Sequence, residues 1–376
     1  MPDVSRRVVL AGNSSWNIVN FRSELIHALK AAGYEPVVIA PVDPAAEQRM
    51  ADLGVERIVI GMERSGLNPL ADLRLTLTYR RLLKDLQPIA YLGFTIKPNI
   101  YGGIAARLTG VPLIANISGL GTVFLKRGLL QALVSRLYRF AFKRAAVTFF
   151  QNPEDRALFV ERGLVRRDQA QLLPGSGVDL ERFQPIAHPV GPATFLFIGR
   201  VLGDKGVREY VQAARMVRAD IPGVRFQLLG PVDEGNRSAV THREVERWVA
   251  EGIIEYLGAT EDVRPYIAEA TAVVLPSYRE GLPRSLLEAA AMARPLIATD
   301  VPGCRELIEP GVNGLLCQPK NSSSLAKAMK TMMNSSAEDR SKMGAASRRM
   351  VEQGYSQNVV IGAYLDALGK LGAPGS

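Results

Sequence analysis

The chain has 376 residues, with 46 Lys/Arg, 37 Asp/Glu and a formal net charge of +9. Hydrophobic residues at 47% and charged residues at 22% fit two folded domains of ordinary size rather than a disordered chain. Two cysteines, Cys304 and Cys317, are too few for a disulfide framework; no CxxC or Cys/His cluster indicates zinc, and no run approaches the ~20 apolar residues of a membrane-spanning helix.

The N-terminus, Met1 to Arg7, enters the first apolar run directly, without the long apolar core expected of a signal peptide. Arg7-Val8-Val9-Leu10-Ala11 reads as a strand, followed by a Gly/Asn/Ser loop and a helix near Val19–Ala32 stopped by Gly33. Pro36–Ala40 is a second strand, with a helix near Asp43–Leu53, the strand Arg57–Ile60, a long helix near Pro69–Leu86 and the strand Ile89–Leu92. Strands at Pro112–Asn116 and Ala146–Phe150 continue the alternation. The Leu172–Val178 and Gln184–Pro192 stretches, rich in Pro and Gly, read as a linker. The rhythm then restarts with strands at Thr194–Gly199, Arg225–Gly230, Ile253–Gly258, Ala272–Pro276 and Pro295–Thr299. Apolar strands alternating with helices imply parallel sheets covered on both faces, hence two doubly wound α/β domains facing across a cleft. The expected boundaries are 1–184 with a returning helix at 356–376 for the first domain, and 185–355 for the second. Ligands in such sheets sit beyond the carboxyl ends of the strands, so chemistry belongs to the loops there.

Charge is uneven. Residues 1–185 hold 24 Lys/Arg against 16 Asp/Glu (+8), and the remainder 22 against 21 (+1). Leu86–Pro153 has eight basic residues and no acid. Such a half suits a polyanion, an anionic membrane or a phosphorylated substrate; no nucleic-acid recognition motif accompanies it. Within Lys126–Arg144, Leu129, Leu130, Leu133, Leu137, Phe140 and Ala141 recur at helical spacing, with Arg136, Arg139 and Lys143 on another face. This suits a helix lying on an anionic bilayer, and equally a domain helix with one face in the core and a solvated basic rim.

No GxGxxG follows the first strand, and neither GxxxxGK[ST] nor GxSxG occurs. After the first strand of the second half comes Gly199-Arg200-Val201-Leu202-Gly203-Asp204-Lys205-Gly206, a close turn with two cations that a diphosphate leaving group would need, though also an ordinary surface loop by itself. After the strand ending near Leu275 comes Ser277-Tyr278-Arg279-Glu280-Gly281-Leu282-Pro283-Arg284-Ser285-Leu286-Leu287-Glu288. Glu280-Gly281 reads as a turn, Pro283 as the first helical residue, and the amides of Arg284 to Leu286 as an anion site at a helix N-terminus. Five residues of helix, about 7.5 Å, separate Pro283 from Glu288, so one ligand spans Glu280 and Glu288. Read structurally, Glu288 caps a buried cluster and Glu280 is a turn residue.

These residues resemble the retaining nucleotide-sugar glycosyltransferases of family 4, with the two-domain GT-B fold, over nearly the whole chain. The Glu-x7-Glu signature matches Glu280 and Glu288; the Gly-Arg…Lys-Gly element matches Gly199, Arg200, Lys205 and Gly206; the hinge appears as Pro174-Gly175-Ser176-Gly177-Val178-Asp179. The resemblance implies that Arg200 and Lys205 hold the donor diphosphate, that Glu288 binds ribose hydroxyls, and that Glu280 contacts the transferred sugar, with amides near Gly281 and Leu282 beside it. It implies no cofactor and no metal; no DxD triplet occurs. The first loop, around Gly12, Asn13 and Ser14, looks like that of members that extend polyprenyl-diphosphate-linked sugars for surface polysaccharides; Asn17 or Asn20 alternatively caps the first helix. Many members carry a histidine after a late strand of the first domain, where this chain has Ser118 and Gly119, and serine is a poor general base. His27, on the first helix, reads as structural. The implied partners are a nucleotide sugar, UDP-linked in the first reading and GDP-mannose in an alternative, and a lipid-linked saccharide at the cytoplasmic face of the membrane. Ser356–Leu368 reads as an amphipathic helix that in the family packs back on the first domain. A nucleotide-sugar epimerase of the same fold and a non-catalytic saccharide- or nucleotide-binding protein are the competing readings.

Overall fold

The structure, a computed structural model, describes residues 5–63, 68–120, 129–236 and 238–372, with the side chains of Leu129 and Leu130 excepted. Residues 1–4, Lys126, Arg127 and Gly128, which figure in the sequence reading, lie outside the described residues. The chain divides into two compact units, Met1–Ser176 with Asn358–Ser376, and Gly177–Gln357.

In unit 1 the strands are β1 (Arg7–Ala11), β2 (Glu35–Ala40), β3 (Glu56–Val59), β4 (Ala90–Phe94), β5 (Leu113–Ile117), β6 (Ala145–Phe150) and β7 (Ala170–Leu172). They form one parallel sheet in the order β3-β2-β1-β4-β5-β6-β7. Its helices are α1 (Ser15–Phe21), α2 (Ser23–Ala31), α3 (Glu47–Asp52), α4 (Pro69–Leu86), α5 (Gly103–Thr109), α6 (Leu129–Phe142) and α7 (Pro153–Glu161). One core joins α1 and α2 to the sheet through Ile18, Leu25, Ile26 and Leu29; the other joins α4, α5, α6 and α7 through Tyr79, Leu83, Ala105, Tyr138, Phe142 and Phe159. The central strands are buried on both faces, as their unbroken apolar runs require.

The helix expected over Val19–Ala32 is two helices broken at Arg22 (φ −134°). Arg22 is buried with its guanidinium 4.2 Å from the centre of the Phe94 ring, a cation–π contact that a continuous helix would have to aim elsewhere. Ser14, rather than Asn17 or Asn20, caps α1: its Oγ accepts from the Asn17 amide at 3.2 Å, while Asn20 Nδ2 donates to the Trp16 carbonyl.

Unit 2 contains β8 (Thr194–Ile198), β9 (Arg225–Leu229), β10 (Glu255–Tyr256), β11 (Ala272–Leu275), β12 (Leu296–Thr299) and β13 (Gly314–Cys317), again all parallel, in the order β10-β9-β8-β11-β12-β13. Its helices are α8 (Val207–Asp220), α9 (His242–Ala250), α10 (Arg264–Glu269), α11 (Arg284–Ala291), α12 (Ser322–Asn334) and α13 (Ala337–Gly354). The short strands β7 and β13, at sheet edges, were not expected from sequence. The last helix, α14 (Gln357–Gly372), buries Val360, Tyr364 and Leu368 in the unit 1 core. The Tyr364 ring lies against Phe94 and Phe149, and its hydroxyl accepts from Asn116 Nδ2 at 2.8 Å.

The division falls at Ser176/Gly177 and Gln357/Asn358, not at 184/185 and 355/356. The Val178 amide donates to the Tyr355 carbonyl and the Gln357 amide to the Val178 carbonyl, both at 3.0 Å, and Phe183 is buried in the unit 2 core. Part of the expected linker is equally fastened: the buried Arg294 donates to the carbonyls of Ile186 and Ala187 as well as those of Ile267 and Ala268.

His188, on that segment, accepts from Arg340 Nε at 3.2 Å. Burial, helped by the charges of Arg340 and Arg294, pushes its imidazole from 6.5 down to about 4. The unfolded chain thus takes up this proton near pH 6.5 and the folded chain only near pH 4, so this site's stability contribution is present above pH 6.5 and is lost as pH falls through that window. Denaturant melts between pH 7 and 4 should show that loss, and His188→Gln should flatten it; an unchanged slope in the variant would assign the proton elsewhere.

Candidate donor and acceptor sites

In unit 2 the strand order reverses between β8 and β11, the place where doubly wound sheets receive ligands. The two loops singled out from sequence follow those two strands. Lys205 ends a short 3-10 turn, Gly203–Lys205, and Gly206 behind it adopts φ +74°. A Cβ at Gly206 would sit 2.0 Å from the Pro276 carbonyl oxygen, so the first loop rests directly on the end of β11. The Tyr278 amide donates to the Asp204 carbonyl (2.9 Å), and the Tyr278 hydroxyl to Glu209 (2.7 Å). The loop after β12 supports the turn from the other side: the Glu280 amide donates to the Pro302 carbonyl at 3.1 Å, and a Cβ at Gly303 would lie 2.6 Å from the carbonyl oxygens of Glu280 and Gly281.

These contacts bring Lys205 Nζ to 2.5 Å from Glu280 Oε1, in a largely buried ion pair. Cys304 is buried close by; burial first and the Glu280 charge second push its thiol well above the usual range. It is therefore an inert packing group. Arg200 is not part of the pair. It extends into solvent and meets Asp233 at 3.2 Å, an exposed bridge of the kind worth under about 1 kcal/mol and readily exchanged for another anion.

Helix α11 starts one residue later than expected. Pro283 is its N-cap, with extended ψ of 119°, and offers no capping side chain. The first turn's amides, including those of Ser285 and Leu286, precede the intrahelical ladder, which opens with Leu287 donating to the Pro283 carbonyl. One turn on, Glu288 is buried and accepts from Arg284 Nε at 2.7 Å. Burial raises its carboxyl above the usual range, and Arg284 pulls in the opposite direction. Leu282 is buried beside the turn. Gly199, Arg200, Lys205, Glu280, Gly281, Leu282, Arg284 and Glu288 thus all lie at the carboxyl edge of one sheet.

In unit 1 the order reverses between β1 and β4. Gly12, Asn13 and Ser14 follow β1, and the Gly12 amide donates to the Ile39 carbonyl at 3.2 Å. Ser118 and Gly119 follow β5, with Ser118 exposed. Among the described residues, no three metal-ligating side chains of the His, Cys, Asp or Glu type converge.

Residues 18–175 match the family described as "Glycosyl transferase 4-like domain", and residues 192–335 the family described as "Glycosyl transferases group 1". The chain belongs to the GT-B glycosyltransferases. It is 28% identical to an N,N'-diacetylbacillosaminyl-diphospho-undecaprenol alpha-1,3-N-acetylgalactosaminyltransferase of Campylobacter jejuni, over 96% of this chain and 97% of the relative. It is 24% identical to a UDP-Gal:alpha-D-GlcNAc-diphosphoundecaprenol alpha-1,3-galactosyltransferase of Escherichia coli over 67% of each. It shares the fold of Anabaena HepE in complex with UDP-glucose, with a TM-score of 0.80 at 17% identity, covering 97% of this chain and 99% of that one.

Sequence reasoning missed one part of this glycosyltransferase's unit 1 edge. β4 is the partner of β1 at the reversal, and after it come Thr95, in the left-handed region at φ +69°, and Lys97. Lys97 Nζ donates to the buried Asp72 at 2.9 Å, which also accepts from the Tyr101 hydroxyl at 2.8 Å. The available signal was that Lys97 opens the acid-free run directly after a strand. The α6 face is also corrected. Val134, Tyr138, Ala141 and Phe142 face the core, whereas Leu133 and Phe140 are 50% and 43% exposed on the same side as Arg136, Arg139 and Lys143. Arg139 donates to the Arg162 and Gly163 carbonyls.

Gly206→Ala should cost at least about 2 kcal/mol in unfolding free energy, from left-handed strain plus the Pro276 clash. Gly362→Ala, with open space around its Cα, should leave stability unchanged; denaturant titration of both variants reads the difference.

Proposed function

We propose that this glycosyltransferase moves a sugar, with retention at the anomeric carbon, from a UDP-linked donor to a polyprenyl-diphosphate-linked saccharide at the cytoplasmic face of the membrane. The observation that carries the reading is the convergence of Lys205, Glu280 and the α11 N-terminus at the unit 2 strand reversal, with Arg200 on the same loop. As the glycosidic bond of the donor breaks, negative charge collects on the departing diphosphate. Two cations and a helix N-terminus stabilise that charge without a divalent ion, so the proposed reaction is metal-independent. Arg200 exchanges its solvent-exposed partner Asp233 for the diphosphate. Glu280 contacts hydroxyls of the transferred sugar, and Glu288 those of the ribose. In a same-face displacement the departing phosphate oxygen takes the acceptor proton, a path in which Ser118 need only hydrogen-bond a hydroxyl.

The acceptor class is supported by the two bacterial relatives whose names carry a diphospho-undecaprenol saccharide, one of them along nearly this whole chain. The acid-free basic run of unit 1 suits the acceptor's diphosphate independently, and Gly12, Asn13, Ser14, Ser118 and Gly119 lie at that unit's carboxyl edge. Arg136, Arg139 and Lys143 are the proposed membrane contacts.

A panel of UDP-hexoses, UDP-N-acetylhexosamines and GDP-mannose, each offered with polyprenyl-diphosphate saccharides, should give product and free UDP for one pair. Conversion of the donor sugar without an acceptor would establish the epimerase instead. Arg200→Ala and Lys205→Ala should each lower kcat by about 10²- to 10³-fold, the usual cost of one charge-stabilising donor, and a chelator should leave the rate unchanged. Full turnover by Glu280→Gln would displace the site. Arg136, Arg139 and Lys143 changed together to Gln should weaken sedimentation with anionic vesicles at low salt; equal binding would remove α6 from the membrane contact.

A further inference from the structure

The basic character of unit 1 is not confined to α6. Helix α4 turns Leu75, Tyr79, Leu83 and Leu86 into the core, together with Asp72 and Thr76. Its opposite face carries a second row at i, i+3 and i+7: Leu70, Leu73 and Leu77, which are 70%, 56% and 51% exposed. Three leucines aligned on the solvent side of one helix are not the scattered single apolar residues of an ordinary surface. The same face continues into exposed Arg74, Arg80, Arg81 and Lys84, against one acid, Asp85. From Leu70 to Lys84 the row runs about 21 Å at 1.5 Å per residue, apolar at its start and cationic at its end.

Helix α5 packs between α4 and α6, so the three form one layer over the sheet. Outward from that layer point Leu108 of α5 and Leu133 and Phe140 of α6, with Arg136, Arg139, Lys143 and Arg144 beside them. Residues 73–153 hold twelve Lys/Arg and a single acid. The leucine end of α4 follows β3, hence lies at the carboxyl edge of the sheet; exposed Trp16 and Ile96 follow β1 and β4 at that same edge.

We propose that the α4–α6 layer is a bilayer-contacting face, in which Leu70, Leu73 and Leu77 enter the boundary between headgroups and acyl chains while Arg80, Arg81 and Lys84 hold anionic headgroups. The occupant follows from charge complementarity and from the mixture itself. An anionic bilayer satisfies leucines and cations on one face at once, through apolar burial plus headgroup attraction. A nucleic acid would leave the leucines wet, and a second copy of this chain would bring cations against cations. The face rests on the lipid-linked acceptor of the proposed function for its purpose only; vesicle binding in the absence of donor and acceptor tests it separately.

The full chain is sedimented with phosphatidylcholine vesicles and with vesicles carrying a rising fraction of phosphatidylglycerol. Leu70, Leu73 and Leu77 changed together to Gln should weaken partition onto the anionic vesicles at least tenfold at physiological salt, and Arg80, Arg81 and Lys84 changed together to Gln should reduce the salt dependence. Turnover on a water-soluble, short-chain diphosphate saccharide should stay unchanged in both. Leu73→Trp, which needs no loss of binding to be read, should shift its fluorescence to the blue on anionic vesicles. Undiminished partition of the leucine variant, an unshifted Leu73→Trp, or a parent dimer that the leucine variant converts to monomer would each overturn the membrane face. Loss of turnover on every acceptor by the parent, with vesicle binding intact, would overturn the reaction and leave the face standing.

Discussion

Backbone touching backbone is the constraint on which the unit 2 site depends. Gly206 rests on the Pro276 carbonyl, and Gly303 on those of Glu280 and Gly281, at separations that leave no room for a Cβ. The loops after β8, β11 and β12 are thereby tied together at the strand reversal. A lysine and a glutamate 75 residues apart meet inside that arrangement, both largely buried. Burying two charges costs several kcal/mol per ion unless geometry and further hydrogen bonds offset it. The close approach supplies the geometry, and the same desolvation strengthens whatever electrostatic interaction a bound anion makes there.

The three cations of the site are not equivalent. Lys205 is held by a partly buried carboxylate, Arg284 by a buried carboxylate four residues along its own helix, and Arg200, itself exposed, by a half-exposed aspartate. Only the last partnership is of the weak, screened kind. In the proposed reaction this gives a division of labour: a preorganised lysine and helix terminus that need no rearrangement, and a mobile arginine that follows the diphosphate. Preorganisation of this kind is what makes a charge-stabilising group effective in a transition state.

Unit 1 inverts the usual economy of a surface helix on two of its helices. A periodic apolar stripe ordinarily marks the buried face. In α6 the aromatic and small residues Tyr138, Phe142, Val134 and Ala141 fill the core, and leucine and phenylalanine remain outside with the cations. In α4 two stripes exist, one buried through Leu75, Tyr79 and Leu83 and one exposed through Leu70, Leu73 and Leu77. Period alone cannot assign a helix that is apolar on both sides; the buried stripe is the one that packs with α5 and the sheet in the shared core.

Strand and helix alternation, the parallel class of both sheets, the extent of α4, the two loops carrying Arg200, Lys205 and Glu280, and the helix carrying Glu288 were legible in the sequence, because each is written in a local pattern: apolar runs, turn residues and fixed spacing. What tertiary structure alone decided is everything that depends on a distant neighbour. The first helix breaks at Arg22, whose guanidinium lies over Phe94, Val178 and Tyr355 pair across 177 residues inside unit 2, and β7 and β13 are strands that pair at sheet edges. The adjacency of β4 to β1, which places Thr95 and Lys97 beside the first loop, follows from strand order rather than chain order. Local pattern determines what a segment is able to form; sheet order and packing volume determine which of its faces is buried and which residues meet.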